Sequence, residues 1–150
     1  MKALVFSAFI LDQVCKYWIN QNLNEGEKRK MTPRLNITNV KNKGMAFGAF
    51  AGSRKLLLTF SVLGTLATWY EYNRASPREK LGVALMAGGG LSNVYDRIVK
   101  GEVTDYIYIE SKRPAPVFNF ADIFVFVGCL ITLLGRVHQK NGRYFHTKST

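Results

Sequence analysis

FNFADIFVFVGCLITLLGRV, residues Phe118–Val137, is the stretch on which the fold turns. Its apolar run, Ile123–Val137, carries no charge before Arg136. A membrane span needs about 20 predominantly apolar residues, and this run reaches that with its flanks. Asn119 is a good N-cap, and Asp122 follows three residues later, in the first turn of the helix. The positive end of the helix dipole favours a carboxylate there. Asp122 is therefore either a dipole-complementing cap or a functional group, because ionisable side chains at membrane depth are costly and default to function.

Three further blocks read as helices: Ala3–Ile19, Leu56–Tyr70 and Leu81–Val99. The first contains Asp12 and Lys16, and the third contains Asn93, Asp96 and Arg97, so hydropathy alone would reject both as spans. Helical spacing rescues them in part. Asp12 and Lys16 are four apart and share a face on which they can pair. Asn93 and Arg97 are also four apart. If those faces turn inward, the opposite faces suit lipid. Gly88-Gly89-Gly90 lets another helix approach closely. Tyr17-Trp18 and Trp69-Tyr70-Tyr72 fit an interfacial aromatic belt.

Two stretches read as strands. Leu35–Val40 alternates apolar and polar residues, and Val103–Ile109 is rich in β-branched and aromatic residues. One lies between helices one and two, the other between helices three and four. Both connections fall on the same side of a four-span bundle, where a small sheet would cap it. Pro114 and Pro116 stop any helix before Phe118.

The chain has 150 residues, enough for one domain, and a net charge of +11. A nucleic-acid interface would gather the basic residues on one face or stripe. Here they flank apolar blocks, which suits anionic lipid headgroups. Cys15 and Cys129 both lie in apolar stretches and read as packed thiols, with no disulfide framework. His138 and His146 lie in the basic tail, and nothing pairs them as metal ligands. A cleaved N-terminal signal fits Lys2 and the run after it, but Asp12 and Gln13 stand where small residues should precede a cleavage point. The basic residues do not orient the chain, since the segments between helices one and two and between three and four hold more of them than the rest.

Asp105 sits among Val103, Tyr106 and Ile107, where a carboxylate is out of place unless that strand face is solvated. A short excursion separates it from Asp122, and can return the chain so that both carboxylates meet at one membrane surface. Two such groups would share a proton, one of them with a raised pKa. The anionic member can take a proton from water while the protonated one polarises a carbonyl, the arrangement of aspartic proteases. Asp122, beside a helix N-terminus, is the better anion. A non-catalytic bundle that carries protons or ions through its polar cluster is the competing reading.

Five segments in order resemble the signal peptidase II family, the bacterial lipoprotein signal peptidases. They are Asp12-Gln13-Val14-Cys15-Lys16, Asn42-Lys43-Gly44-Met45-Ala46-Phe47-Gly48, Gly89–Arg97, Val103-Thr104-Asp105-Tyr106 and Phe118–Asp122. The resemblance implies a membrane all-α fold, with four transmembrane helices, a small periplasmic β-sheet element, extended loops and both termini cytoplasmic. It implies a single integral membrane peptidase domain over residues 1–150, with a basic cytoplasmic tail at about 138–150. Asp105 and Asp122 would be the catalytic pair; Asn42, Gly44, Asn93, Arg97 and Asn119 would line the substrate cleft; Asp12 and Lys16 would support them. The implied reaction removes signal peptides from bacterial prolipoproteins, cleaving before a diacylglyceryl-modified cysteine, with no metal, no cofactor and no covalent intermediate. The implied partners are the lipid-modified substrate and membrane phospholipid, with no nucleic acid, for a monomer in the bacterial inner membrane whose site lies near the periplasmic face. Cys15 departs from the usual Thr or Ser, Met45 from a small residue, and Thr104-Asp105-Tyr106 from Val-Asp-Phe; none removes a carboxylate. Arg97 could instead pair with Asp12 or Asp96, and Asp96 could orient Arg97 or cap the polar cluster.

Overall fold

A computed structural model describes residues 1–44, 54–111 and 115–146, without the side chains of Arg54 and residues 140–146. Met45 to Gly48 of the second motif, the loop onward to Gly52, Lys112, Arg113 and Pro114 lie outside the described residues.

Four helices and four strands make up the described chain: α1 (Lys2–Asn22), β1 (Lys28–Lys30), β2 (Leu35–Asn42), α2 (Arg54–Arg74), α3 (Lys80–Val99), β3 (Val103–Ile109), β4 (Val117–Phe118) and α4 (Phe120–His146). All four helical blocks form. Block four runs longer than its apolar stretch, so residues assigned to the tail continue the helix to His146. The expected sheet forms too, but with four antiparallel strands in the order β1-β2-β3-β4 rather than two. β1 is three basic residues with no strand pattern, held as an edge by pairing with β2.

Large apolar side chains face outward on the helices, while a group of charged and polar ones is buried among them. Phe6, Ile10, Val14 and Tyr17 of α1, and Phe126, Leu130, Leu133 and Leu134 of α4, are exposed. Asp12, Lys16, Ser92 and Asp96 are fully buried. Water-facing surfaces do not carry contiguous apolar area of this kind, whereas lipid-facing ones do. Among the described residues one stretch, Phe120–Gln139, is long and apolar enough to cross a membrane by composition alone. α1 and α3 turn Asp12, Lys16 and Asp96 inward.

α3 is the central helix, packed against α1, α2 and α4. Its three consecutive glycines face three different neighbours. Gly88 lies against Val5 and Ala8 of α1, Gly89 against Ala121 and Val125 of α4, and Gly90 against Thr65 of α2. Successive helical positions turn by about 100°, so a triplet of small residues opens three sides at once. A second close approach joins Gly82 to Gly128, fixing α3 on α4.

Tyr72 corrects the interfacial-belt expectation. It is buried in the core with Val5, Val83, Ala84 and Ala87, while Tyr17, Trp18, Trp69 and Tyr70 are exposed as expected.

In the sheet, Ile37 pairs with Ile107 and Val40 with Asp105, so β2 spends one residue more than β3 between those pairs. Beyond this bulge, Asn42 pairs with Val103, which places Asn42 diagonally across from Asp105 on the same face.

Candidate active site

Asn119 builds the junction between β4 and α4. Its side-chain oxygen accepts the Asp122 backbone N–H at 2.8 Å, and the Asp122 carboxylate accepts the Asn119 backbone N–H at 3.2 Å. This reciprocal cap starts α4 and fixes the Asp122 side chain at the helix mouth. The Asn119 amide then donates to Asp105 Oδ1 at 2.7 Å. One asparagine thus touches both carboxylates, and the two acids expected to meet do meet.

Two more amides complete the arrangement. Asn42 Nδ2 donates to Asp105 Oδ2 at 2.7 Å, and Asn93 Nδ2 donates to Asp122 Oδ1 at 2.8 Å. Each carboxylate therefore receives two N–H bonds, and each oxygen keeps a lone-pair direction free. The amide orientations are forced. Gly44 N–H points at Asn42 Oδ1 at 2.9 Å, and Lys16 Nζ at Asn93 Oδ1 at 2.9 Å. Both are donors only, so the NH2 groups must face the carboxylates.

Asp105 is 2 % exposed, which rules out a solvated strand face. Burial raises its pKa to about 7; the Asn42 bond opposes the rise, the Asp122 charge adds to it, and Asn119 and Lys16 pull against it. Asp105 is thus poised to hold a proton near neutral pH.

Behind this pair lies a second polar cluster. Lys16 Nζ stands 2.6 Å from Asp12 and 2.8 Å from Asp96, with all three side chains at 0 % exposure. Ser92 donates to Asp12 at 2.6 Å, and Gln13 to Asp96 at 3.1 Å. Lys100 also reaches Asp96, at 2.7 Å. The Asp12–Lys16 pair forms as the spacing implied. Asp96 caps the polar cluster through Lys16, Gln13 and Lys100. Arg97 donates to the Asn93 backbone oxygen at 3.3 Å, and Lys16 takes up both Asp12 and Asp96, the partners considered for Arg97.

A cleft of about 680 Å³ opens from the two carboxylates. Asn42, Gly44, Asn93, Arg97, Asp105 and Asp122 line its polar part. It continues between α2, α3 and α4 past Gly90, Met86, Val125 and Cys129. Arg97 lies eleven positions after Met86 on α3, so the cleft follows the helix for roughly 16 Å. Ser61, Gly64, Thr65 and Thr68 give α2 a small-residue wall along it. Among the described residues no three His, Cys, Asp or Glu side chains are grouped to hold a metal ion.

The family model described as Signal peptidase (SPase) II matches residues 4–137. The chain belongs to the signal peptidase II family. The peptidase is 34 % identical over 139 residues to the lipoprotein signal peptidase of Wigglesworthia glossinidia brevipalpis, covering 89 % of this chain and 91 % of that one. It is 33 % identical over 134 residues to that of Clostridium novyi, covering 85 % and 90 %. Its fold is similar to a bacterial membrane enzyme solved by the in meso method at 2.3 Å, with a TM-score of 0.83 and 25 % identity over 93 % of this chain and 88 % of that one. A second such enzyme, solved at 1.9 Å, gives a TM-score of 0.77 at 27 % identity over 88 % of each chain.

The peptidase's site contains partners that its sequence did not single out. Gln13, Ser92 and Tyr106 all bond within the buried network. A signal for two of them was present. Asp12-Gln13…Lys16 and Ser92-Asn93…Asp96 share one spacing of polar residues, which puts two matching polar faces on helices that can meet.

Proposed function

We propose that the peptidase is an integral membrane aspartic endopeptidase that hydrolyses one peptide bond between Asp105 and Asp122. The observation that carries this is the pair of buried carboxylates joined by Asn119, each also held by a second amide. Asp122, with the helix N-terminus and two N–H donors on its carboxylate, is the base that takes a proton from water. The water oxygen forms a bond to the scissile carbonyl carbon. Asp105, protonated, donates to the carbonyl oxygen as it gains charge. Collapse of the tetrahedral diol breaks the C–N bond: Asp122 passes its proton to the departing amine, and Asp105 takes one back from a diol hydroxyl as the new carboxyl carbonyl forms. Arg97, Asn42, Gly44 and Asn93 line the cleft beside an extended substrate backbone, whereas Asn119, expected to line it too, is fully buried behind the two acids. Asn42 and Asn93 also hold the acids, so their part is positioning as well as binding, and the part of Asn119 is positioning.

The substrate is a bacterial prolipoprotein whose cysteine carries diacylglycerol, cut immediately before that cysteine. The apolar length of the cleft suits acyl chains and a signal helix, and its polar part lies beside the sheet. All four helices cross the inner membrane, with the charges of α1 and α3 turned inward. The sheet faces the periplasm, both termini are cytoplasmic, and residues 1–150 act as one domain in a monomer surrounded by phospholipid.

Purified protein in detergent, supplied with a preprolipoprotein with and without its diacylglyceryl group, tests this. The account expects cleavage of the lipidated form only, releasing the signal peptide. Equal cleavage of both forms would remove the lipid from the recognised substrate, and no cleavage of either would remove the function.

A further inference from the structure

Tyr106 follows Asp105 directly, and its side chain turns to the opposite face of β3. There it is buried with Ile19 and Leu23. Its hydroxyl donates to Asp12 Oδ1 at 3.1 Å and accepts the Phe120 backbone N–H at 3.1 Å. Three elements, α1, β3 and α4, therefore meet at one oxygen.

The bonds leave the hydroxyl little choice. Asp12 Oδ2 is taken by Lys16 at 2.6 Å and Ser92 at 2.6 Å, so Oδ1 is the acceptor left for Tyr106. With its proton committed to Asp12, the hydroxyl turns a lone pair to Phe120. Burial, then the Asp12 charge, push the phenol well above the usual tyrosine range, so it stays a donor at any working pH. Phe120 is the first residue of α4, where backbone N–H groups have no partner within the helix. The Tyr106 and Phe120 rings also meet edge to face, with centroids 5.8 Å apart.

The position of this contact gives it its consequence. Tyr106 is one residue from Asp105, and Phe120 is two residues from Asp122. On the cleft side, Asn119 bridges the two acids. On the far side, Tyr106 ties the same two segments together. The entry of α4 is clamped from both faces of β3, and that entry sets where Asp122 sits relative to Asp105. We propose that Tyr106 is a positioning residue, whose Asp12-oriented hydroxyl sets the spacing of the two acids. This rests on the reading of Asp105 and Asp122 as the catalytic pair.

Tyr106→Phe keeps the ring and removes only the hydroxyl. Misplacing a reacting group by about 1 Å can cost 100-fold. The expected result with lipidated preprolipoprotein is a kcat lowered by roughly 10-fold or more with KM within about twofold. Hydrogen exchange at the Phe120 amide should quicken in the same variant. A packing role alone would leave kcat intact in the folded fraction. Parental kcat and KM, or a raised KM with kcat unchanged, would overturn the proposal.

Asp12→Asn is the second variant. Lys16 and Ser92 claim the amide oxygen, so the NH2 turns toward Tyr106 and leaves its O–H without an acceptor. It should reproduce the loss of kcat with KM held; parental kcat here overturns the proposal too. Asp105→Asn is assayed alongside. If it is inactive while Tyr106→Phe matches the parent, only the positioning role fails. If Asp105→Asn turns over fully, the catalytic pair fails and the positioning role with it.

Discussion

The peptidase buries two pairs of carboxylates within one polar network and treats them differently. Asp12 and Asp96 have Lys16 between them, within 2.8 Å of each. Asp105 and Asp122 have Asn119 between them, a neutral amide. A cation within hydrogen-bond distance of both acids makes the first pair a structural joint between α1 and α3. An amide orients the second pair without fixing its charge, so a proton can move on and off Asp105 near neutral pH. Burial alone does not make an acid reactive; what stands between the acids decides it.

The largest effect should come from breaking the second pair. Asp105→Asn and Asp122→Asn each remove one proton carrier and should lower cleavage of lipidated preprolipoprotein by about 10³-fold, since general acid–base groups contribute between 10² and 10⁴. Thermal unfolding in detergent should remain cooperative in both. The first pair should fail in the other currency. Lys16→Met leaves Asp12 without a cation and Asp96 with Lys100 alone, and breaking a buried pair in this way costs about 3–5 kcal/mol. Unfolding measurements should show it as a large drop in stability, with activity lost through the fold.

A smaller effect separates geometry from charge. A Cβ at Gly89 would collide with the Ala121 backbone oxygen, one residue before Asp122. Gly89→Ala should cost about 1–3 kcal/mol through overpacking and displace the first turn of α4, lowering kcat as well as stability. Away from both pairs, Arg136 joins Glu71 and Glu79 at the far end of the bundle, half exposed. Arg136→Ala should change stability by less than about 1 kcal/mol and leave cleavage at the parental rate.

Much of this was legible in the residues. The four helices follow from apolar blocks and from polar residues at i, i+4 spacing, and β3 spans the run Val103–Ile109 as its composition indicates. The cap formed by Asn119 and Asp122 follows from their spacing alone. β1 and β4 were not legible. The first is three basic residues that become a strand only because β2 offers an edge, and the second is two residues long. Asn42 and Asn93 were legible as cleft residues through the family resemblance, but not as donors to the two acids. That their amides point at carboxylates depends on Gly44 and Lys16, contacts between distant parts of the chain. Tyr106 read as a strand aromatic, because nothing local indicates a hydroxyl shared by two other helices.

The dependence of kcat on pH tests the contrast between the pairs most directly. In the proposed mechanism Asp105 acts as the acid only when protonated, and burial raises its pKa to about 7. Activity should therefore fall as pH rises through about 7, after rising at lower pH as the partner carboxylate ionises. A kcat that stays level from about pH 5 to pH 9 would contradict a proton shared between Asp105 and Asp122.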